Sequence, residues 1–238
     1  MADREIAVIA GVGSGLGAAL GRCFAGAGMA VALAARDRAR LDPLADSLKD
    51  SGGVARAYDC DVTEEAAVAR LFDAVSEDFG VPDLVAFNAG AFVRKSILET
   101  EVEEFERCWR VGCLGGFLVG RAAARAMVPR GHGTILFTGA TASLRGGALF
   151  HNLAVPKFGL RALAQSMARE LGPKGVHVAQ VIIDGQILSA RHADLVAERP
   201  EDALLAPDAI AATYLALHRQ HRSAWTHELD LRPWVERF

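Results

Sequence analysis

The chain has 238 residues, of which 51% are hydrophobic and 23% charged. That balance excludes a disordered polymer, and the length suffices to bury a large core without disulfide or metal staples. A formal net charge of −3 argues against a broad nucleic-acid footprint. No apolar run approaches about 18 residues, so no membrane span is expected. The opening MADREIAVIAG has charges and then a short strand-like run in place of a signal-peptide core. None of Cys23, Cys60, Cys108 and Cys113 forms a CxxC pair, so reduced thiols and a cytoplasmic setting are expected.

Short apolar runs alternate with longer segments of helical period. Ile6 to Ala10, Ala30 to Ala35, Val54 to Asp59, Leu84 to Phe87, Thr134 to Thr138, His177 to Ile183 and His227 to Leu231 read as strands. Gly15 to Ala27, Arg38 to Ser51, Glu64 to Phe79, Glu103 to Met127, Leu153 to Leu171 and Pro207 to His221 read as helices. Near-continuous apolar strands require cover on both faces. The alternation then predicts one α/β domain over residues 1–238, a Rossmann-like doubly wound parallel sheet of about seven strands with helices on both faces. Thr63 is expected to cap the helix that follows it, Pro207 to open the last one, and Gly172, Pro173 and Gly175 to end the long one.

The first strand runs into Gly11-Val12-Gly13-Ser14-Gly15-Leu16-Gly17 and then an alanine-rich helix. Glycines there let the backbone approach a diphosphate, and the helix N-terminus offers free N–H groups with a partial positive charge. The Gly11-xxx-Gly15-x-Gly17 spacing resembles the short-chain dehydrogenase/reductase family. Asp61-Val62 resembles the pair that meets the adenine ring, and Asn88-Ala89-Gly90 the end of the family's NNAG motif, with Phe87 for its first Asn. Asp184-Gly185-Gln186-Ile187-Leu188-Ser189 resembles its PGxIxT segment, with Asp184 for Pro and Ser189 for Thr. The resemblance implies that Gly11, Gly13, Ser14, Gly15, Leu16, Gly17, Asp61, Val62, Asn88, Ala89, Gly90, Gly185, Ile187 and Ser189 hold a nicotinamide dinucleotide.

An acid at the end of the second strand binds the ribose hydroxyls in NAD-selective sites. Here Ala35 holds that position and Arg36 follows, with Arg38 nearby. A guanidinium can pair a 2′-phosphate, so NADP(H) is expected to be preferred over NAD(H).

The family's reductases use Tyr, Lys four residues later, an upstream Ser and a helical Asn. Lys157 matches the lysine and is also expected to bind the nicotinamide ribose. Leu153 holds the tyrosine position, Ala140 the serine position and Gly112 the asparagine position. The only tyrosines, Tyr58 and Tyr214, lie in the third strand and a late helix. Thr138, Thr141 and Ser143 are hydroxyls near the serine position. His151 is a candidate proton donor at the mouth of the helix, because histidine donates near neutral pH, although two residues correspond to about 200° of helix. Losing a positioned acid slows catalysis by about 100- to 10,000-fold.

Three readings remain: an NADP(H)-dependent oxidoreductase of an unidentified carbonyl or alcohol with an unusual proton donor, a nucleotide-binding homologue without turnover, and a non-redox lyase or isomerase. No metal site is expected, because His218 and His221 have no carboxylate nearby in sequence. Cys108 and Cys113 read as apolar packing. Phe105, Trp109, Phe117 and Val119 read as core or interface, and Trp234 and Phe238 as packing back or across an interface. The polar segment from Ser189 to Leu204, with Arg191, His192, Asp194, Glu198 and Arg199, is expected to act as a lid. The resemblance implies a homodimer or homotetramer through the helices around 103–127 and 153–171, with a small-molecule substrate and neither nucleic acid nor membrane as partner.

Overall fold

The computed structural model describes residues 4–189 and 198–236. The strands are β1 (Ile6–Ala10), β2 (Ala30–Ala35), β3 (Val54–Asp59), β4 (Leu84–Phe87), β5 (Gly133–Thr138), β6 (Val176–Ile183) and β7 (Glu228–Leu231). They form one sheet in the order β3-β2-β1-β4-β5-β6-β7, and every neighbouring pair is parallel. The order reverses beside β1, which opens a crevice at the C-terminal ends of β1 and β4.

Between the strands run α1 (Leu16–Gly26), α2 (Asp42–Asp50), α3 (Glu65–Asp78), α4 (Val102–Trp109), α5 (Gly115–Met127), α6 (His151–Leu171) and α7 (Pro207–His218). The two-residue alternation of the strands sorts side chains between two layers. Ile6, Val8 and Ala10 join a core with α3, α5 and α6 through Leu71, Val119 and Leu160. Ala7 and Ile9 join a core with α1, α2 and α7 through Leu20, Leu48 and Tyr214. Burial of each large apolar side chain stabilises by about 1.5–3 kcal/mol, so truncating fully buried Phe24 to Ala costs roughly 3–5 kcal/mol.

Four sequence expectations change. Thr63 does not cap α3: Glu64 takes that place, while Thr63 gives both its N–H and its hydroxyl to Asp61 Oδ1. A local side-chain turn outcompetes the cap. The expected helix over 103–127 is interrupted by a π-type segment, Arg110–Leu114, so that α4 and α5 are offset. That helical stretch, Val102–Arg130, spans 29 residues and has the length and composition to cross a bilayer, which no run in the sequence suggested; here Val119, Ala123 and Met127 are buried in the sheet core. Finally, α6 begins at His151, two residues ahead of expectation, which brings that histidine into the helix. Residues 190–197 lie outside the described residues, and with them Arg191, His192 and Asp194 of the expected lid.

Candidate functional site at the C-terminal edge of the sheet

The loop after β1 is fixed by backbone bonds: the Gly11 and Val12 N–H groups both donate to Ala34 O, at 2.9 and 3.0 Å. Gly11 sits at φ +96°, and a Cβ there would lie 2.3 Å from Ala89 N, so no other residue fits. At Gly13 and Gly15, by contrast, a Cβ would meet nothing within 4 Å. Space is therefore left on the solvent side of the loop while its protein side is filled. α1 starts at Leu16 with no side-chain cap and no acid in its first turn, which leaves its dipole for an anion.

A cavity of about 400 Å³ opens here, lined by Gly11, Gly13, Gly15, Leu16, Gly17, Arg36, Asp61, Val62, Asn88, Ala89 and Gly90. Eleven positions singled out in the sequence thus come together, although they belong to four separate strand ends. Ala35, Cys60, Arg107 and Val111 also line it. The open glycine edge and uncapped helix suit a diphosphate, and the cavity size suits part of a dinucleotide. Arg38 is engaged with Asp42 and Arg40 with Asp37. Arg36 is exposed on the cavity wall and forms no ion pair among the described residues. Burial pushes the Cys60 thiol up to about 11, which makes it inert packing.

Asn88 ties the crevice together. Its Nδ2 donates to Gly11 O at 2.9 Å, and its Oδ1 accepts from Thr138 Oγ1 at 3.2 Å. Thr138 Oγ1 also pairs with Tyr214 Oη at 2.7 Å on the α7 side of the sheet. From the other side, Lys157 Nζ donates to Thr138 O at 2.6 Å. Lys157 is buried, and desolvation lowers its pKa to about 8. Burial moves the Tyr214 phenol far up, so it holds its proton. Leu153 lies half-buried one helical turn before Lys157.

Of the three hydroxyls near Ala140, Thr138 is buried under the sheet and Ser143 is fully buried, accepting the Ala140 N–H at 3.1 Å. Thr141 is the half-buried one, and its Oγ1 donates to Asp184 Oδ1 at 2.6 Å. Asp184 is itself buried, with Arg232 Nη2 at 3.7 Å from Oδ2. The sequence singled Asp184 out only as a replacement for proline; an acid ending the apolar run VIID was the available signal. Gly185 at φ +148° is pinned beneath Pro233, and Ile187 pairs with Leu205 in a short parallel bridge. Ser189 is half-buried at the end of that stretch, and Ser14 is exposed at the tip of the glycine loop.

His151 is directed elsewhere: its Nε2 meets Thr100 Oγ1 at 2.8 Å. Beside it, Phe150 stacks on Phe92 with ring centroids 5.0 Å apart. His218 pairs with Thr134 and Glu5, and His221 with Ser223. Val119 is core, whereas Trp109 and Phe117 are exposed on α4 and α5. The Trp234 ring is exposed while its indole donates to Glu201 O at 3.2 Å, and Phe238 lies outside the described residues.

Known proteins share this fold. The short-chain dehydrogenase family profile matches residues 5–198. A (21S)-21-acetoxyl-apo-melianone synthase from Melia azedarach is 36% identical over 179 residues, covering 74% of this chain and 65% of that protein. The chain thus spans just under two thirds of that relative. A short-chain dehydrogenase crystal structure from Rhodopseudomonas palustris superposes with a TM-score of 0.84 at 39% identity, covering 97% of this chain and 99% of the other. A metagenomic short-chain oxidoreductase in complex with NADP gives a TM-score of 0.84 at 27% identity, covering 97% and 98%. The chain belongs to the short-chain dehydrogenase family.

Proposed function

We propose that this protein is an NADP(H)-dependent oxidoreductase acting on a small alcohol or carbonyl compound, with the proton handled by a group other than a tyrosine. The observation that carries it is the pairing of an open glycine edge with Arg36 on one cavity wall. A bound nicotinamide dinucleotide supplies hydride transfer. The chain's own residues do the rest. Gly11, Gly13, Ser14, Gly15, Leu16 and Gly17 cradle the diphosphate, Arg36 pairs the 2′-phosphate, and Asp61 and Val62 border the adenine. Asn88, Ala89, Gly90, Gly185, Ile187 and Ser189 border the nicotinamide half. Lys157 holds the ribose from its seat beneath Thr138. The NADP complex of a similar structure supports the cofactor assignment.

Leu153, Ala140 and Gly112 at the family's tyrosine, serine and asparagine positions favour a second reading, a nucleotide-binding homologue without turnover. The exposed apolar faces of α4, α5 and α6, including Trp109, Phe117, Val155 and Phe158, support association with a second copy.

The test is a fluorescence titration with NADPH and NADH. Selective NADPH binding supports the cofactor reading, and equal or tighter NADH binding overturns the preference. Turnover across a carbonyl and alcohol panel then separates the enzyme from the binding protein.

A further inference from the structure

The opposite edge of the sheet, where the strands begin, holds a larger cavity: about 1200 Å³, against about 400 Å³ for the glycine-edged crevice. Ile6, Ala30, Val54 and Thr134, at the starts of β1, β2, β3 and β5, line it. The full length of the strands therefore separates it from Gly11 and Arg36. Each carboxylate of the described lining is turned toward a donor within the fold. Asp83 accepts the Ile6 N–H at 2.8 Å on one oxygen and Arg130 Nη2 at 2.9 Å on the other. Asp78 accepts the Tyr58 hydroxyl at 2.7 Å and pairs with Arg56. Glu5 Oε1 faces His218 Nε2 at 3.3 Å, and His218 Nδ1 meets Thr134 Oγ1 at 2.9 Å.

Two guanidiniums of the lining are left over. Arg4 and Arg222 are exposed, and their side chains form no ion pair or hydrogen bond among the described residues. The Glu5–His218 contact ties together the segments that carry them, since Arg4 adjoins Glu5 and Arg222 follows His218 by four positions. Trp225 adds an aromatic wall: it is half-buried, with one face parallel to the His177 ring at 4.9 Å between centroids. His177 is 2% exposed and its Nε2 meets Thr226 O at 2.7 Å, so the ring behind the indole is fixed. Acids already answered and guanidiniums left open favour an anion. A phosphate monoester, at roughly −1.5 to −2 near pH 7, matches two guanidiniums, whereas a carboxylate brings a single charge.

We infer that this cavity is a second ligand site for a phosphate monoester of a small aromatic compound, with the phosphate held by Arg4 and Arg222 and the ring set against Trp225. The site stands apart from the proposed reaction and needs no bound nucleotide.

The test is a protein-observed NMR titration of the full chain with phenyl phosphate, inorganic phosphate and benzoate. Phenyl phosphate should bind about tenfold more tightly than either, because inorganic phosphate lacks the ring and benzoate the second charge. Arg4→Ala and Arg222→Ala alter exposed side chains without partners, so the fold should be kept and each should weaken phenyl phosphate by about tenfold. Trp225→Ala should bring phenyl phosphate down to the level of inorganic phosphate, and Trp225→Phe should recover part of the difference. Gly13→Ala and Arg36→Ala, at the other edge of the sheet, should leave phenyl phosphate affinity as in the wild type. No binding of phenyl phosphate, benzoate binding as tightly, or unchanged affinity in the Arg4→Ala, Arg222→Ala double variant overturns the inference. So does loss of binding in Arg36→Ala, which would put the ligand in the glycine-edged crevice.

Discussion

The ring of Pro156 fills the space beside Gly112: a Cβ on residue 112 would lie 2.9 Å from Pro156 Cβ. A rigid ring on α6 and a bare backbone in the π-type segment thus fit one another, one position before Lys157. Proline inside a helix removes one backbone bond, so this contact is part of what retains it.

Gly112→Ala should therefore destabilise the protein by about 1 kcal/mol net, because overpacking at roughly 1–3 kcal/mol outweighs the helix-propensity gain of about 1 kcal/mol. In a Pro156→Ala background the same change should be neutral or stabilising. Urea unfolding of the four variants in a double-mutant cycle measures the coupling.

The two kinds of glycine in the first loop should separate stability from binding. Gly11→Ala meets Ala89 at 2.3 Å and carries a positive φ, so it should cost at least about 3 kcal/mol and give little folded protein. Gly13→Ala meets nothing in the chain and should melt like the wild type, yet lose nucleotide affinity by tenfold or more. Thermal melts and NADPH titration read the two effects. A Gly13→Ala protein that binds NADPH normally would contradict the placing of the diphosphate.

On the proposed reading, Arg36→Ala removes a charge-assisted pair to the 2′-phosphate, so it should weaken NADPH by about tenfold or more and leave NADH nearly unchanged. Arg38→Ala, at a side chain engaged with Asp42, should do little to either. The ratio of the two dissociation constants is the measure.

Lys157 should make stability depend on alkaline pH. Burial lowers its pKa in the folded chain to about 8, against an ordinary 10.5 when unfolded. Between those values the unfolded chain binds more protons, so stability rises with pH across the window, by up to about 3 kcal/mol for this group. Lys157→Met should flatten that rise. Unfolding curves from pH 7 to 10.5 for both proteins isolate it from the cysteines, which titrate in both. An identical slope in the variant would assign the rise elsewhere.

Tyr214→Phe should cost about 1 kcal/mol by removing the hydroxyl from Thr138, with nucleotide affinity unchanged. A change in affinity would mean that the phenol acts through Thr138 on the Lys157 side of the sheet.

The sequence by itself determined the architecture and picked out residues that the fold gathers at one crevice. Alternating apolar runs specify a two-sided parallel sheet because side-chain direction follows the strand period. Gly11 to Gly17, Arg36, Asp61 and Asn88 were legible because each follows a strand, and parallel strands bring their C-terminal ends to one edge. The remainder required the fold. Which of Thr138, Thr141 and Ser143 stays available depends on what lies behind each one: Tyr214 and Asn88, Asp184, or the Ala140 N–H. His151 turned to Thr100, and Thr63 turned to Asp61 instead of capping α3. Contacts such as Thr141 with Asp184 and Gly112 with Pro156 join residues over 40 positions apart. No local period carries that information, because a hydrogen bond or a close contact between distant segments exists only once the sheet and its covering helices have set the distance between them.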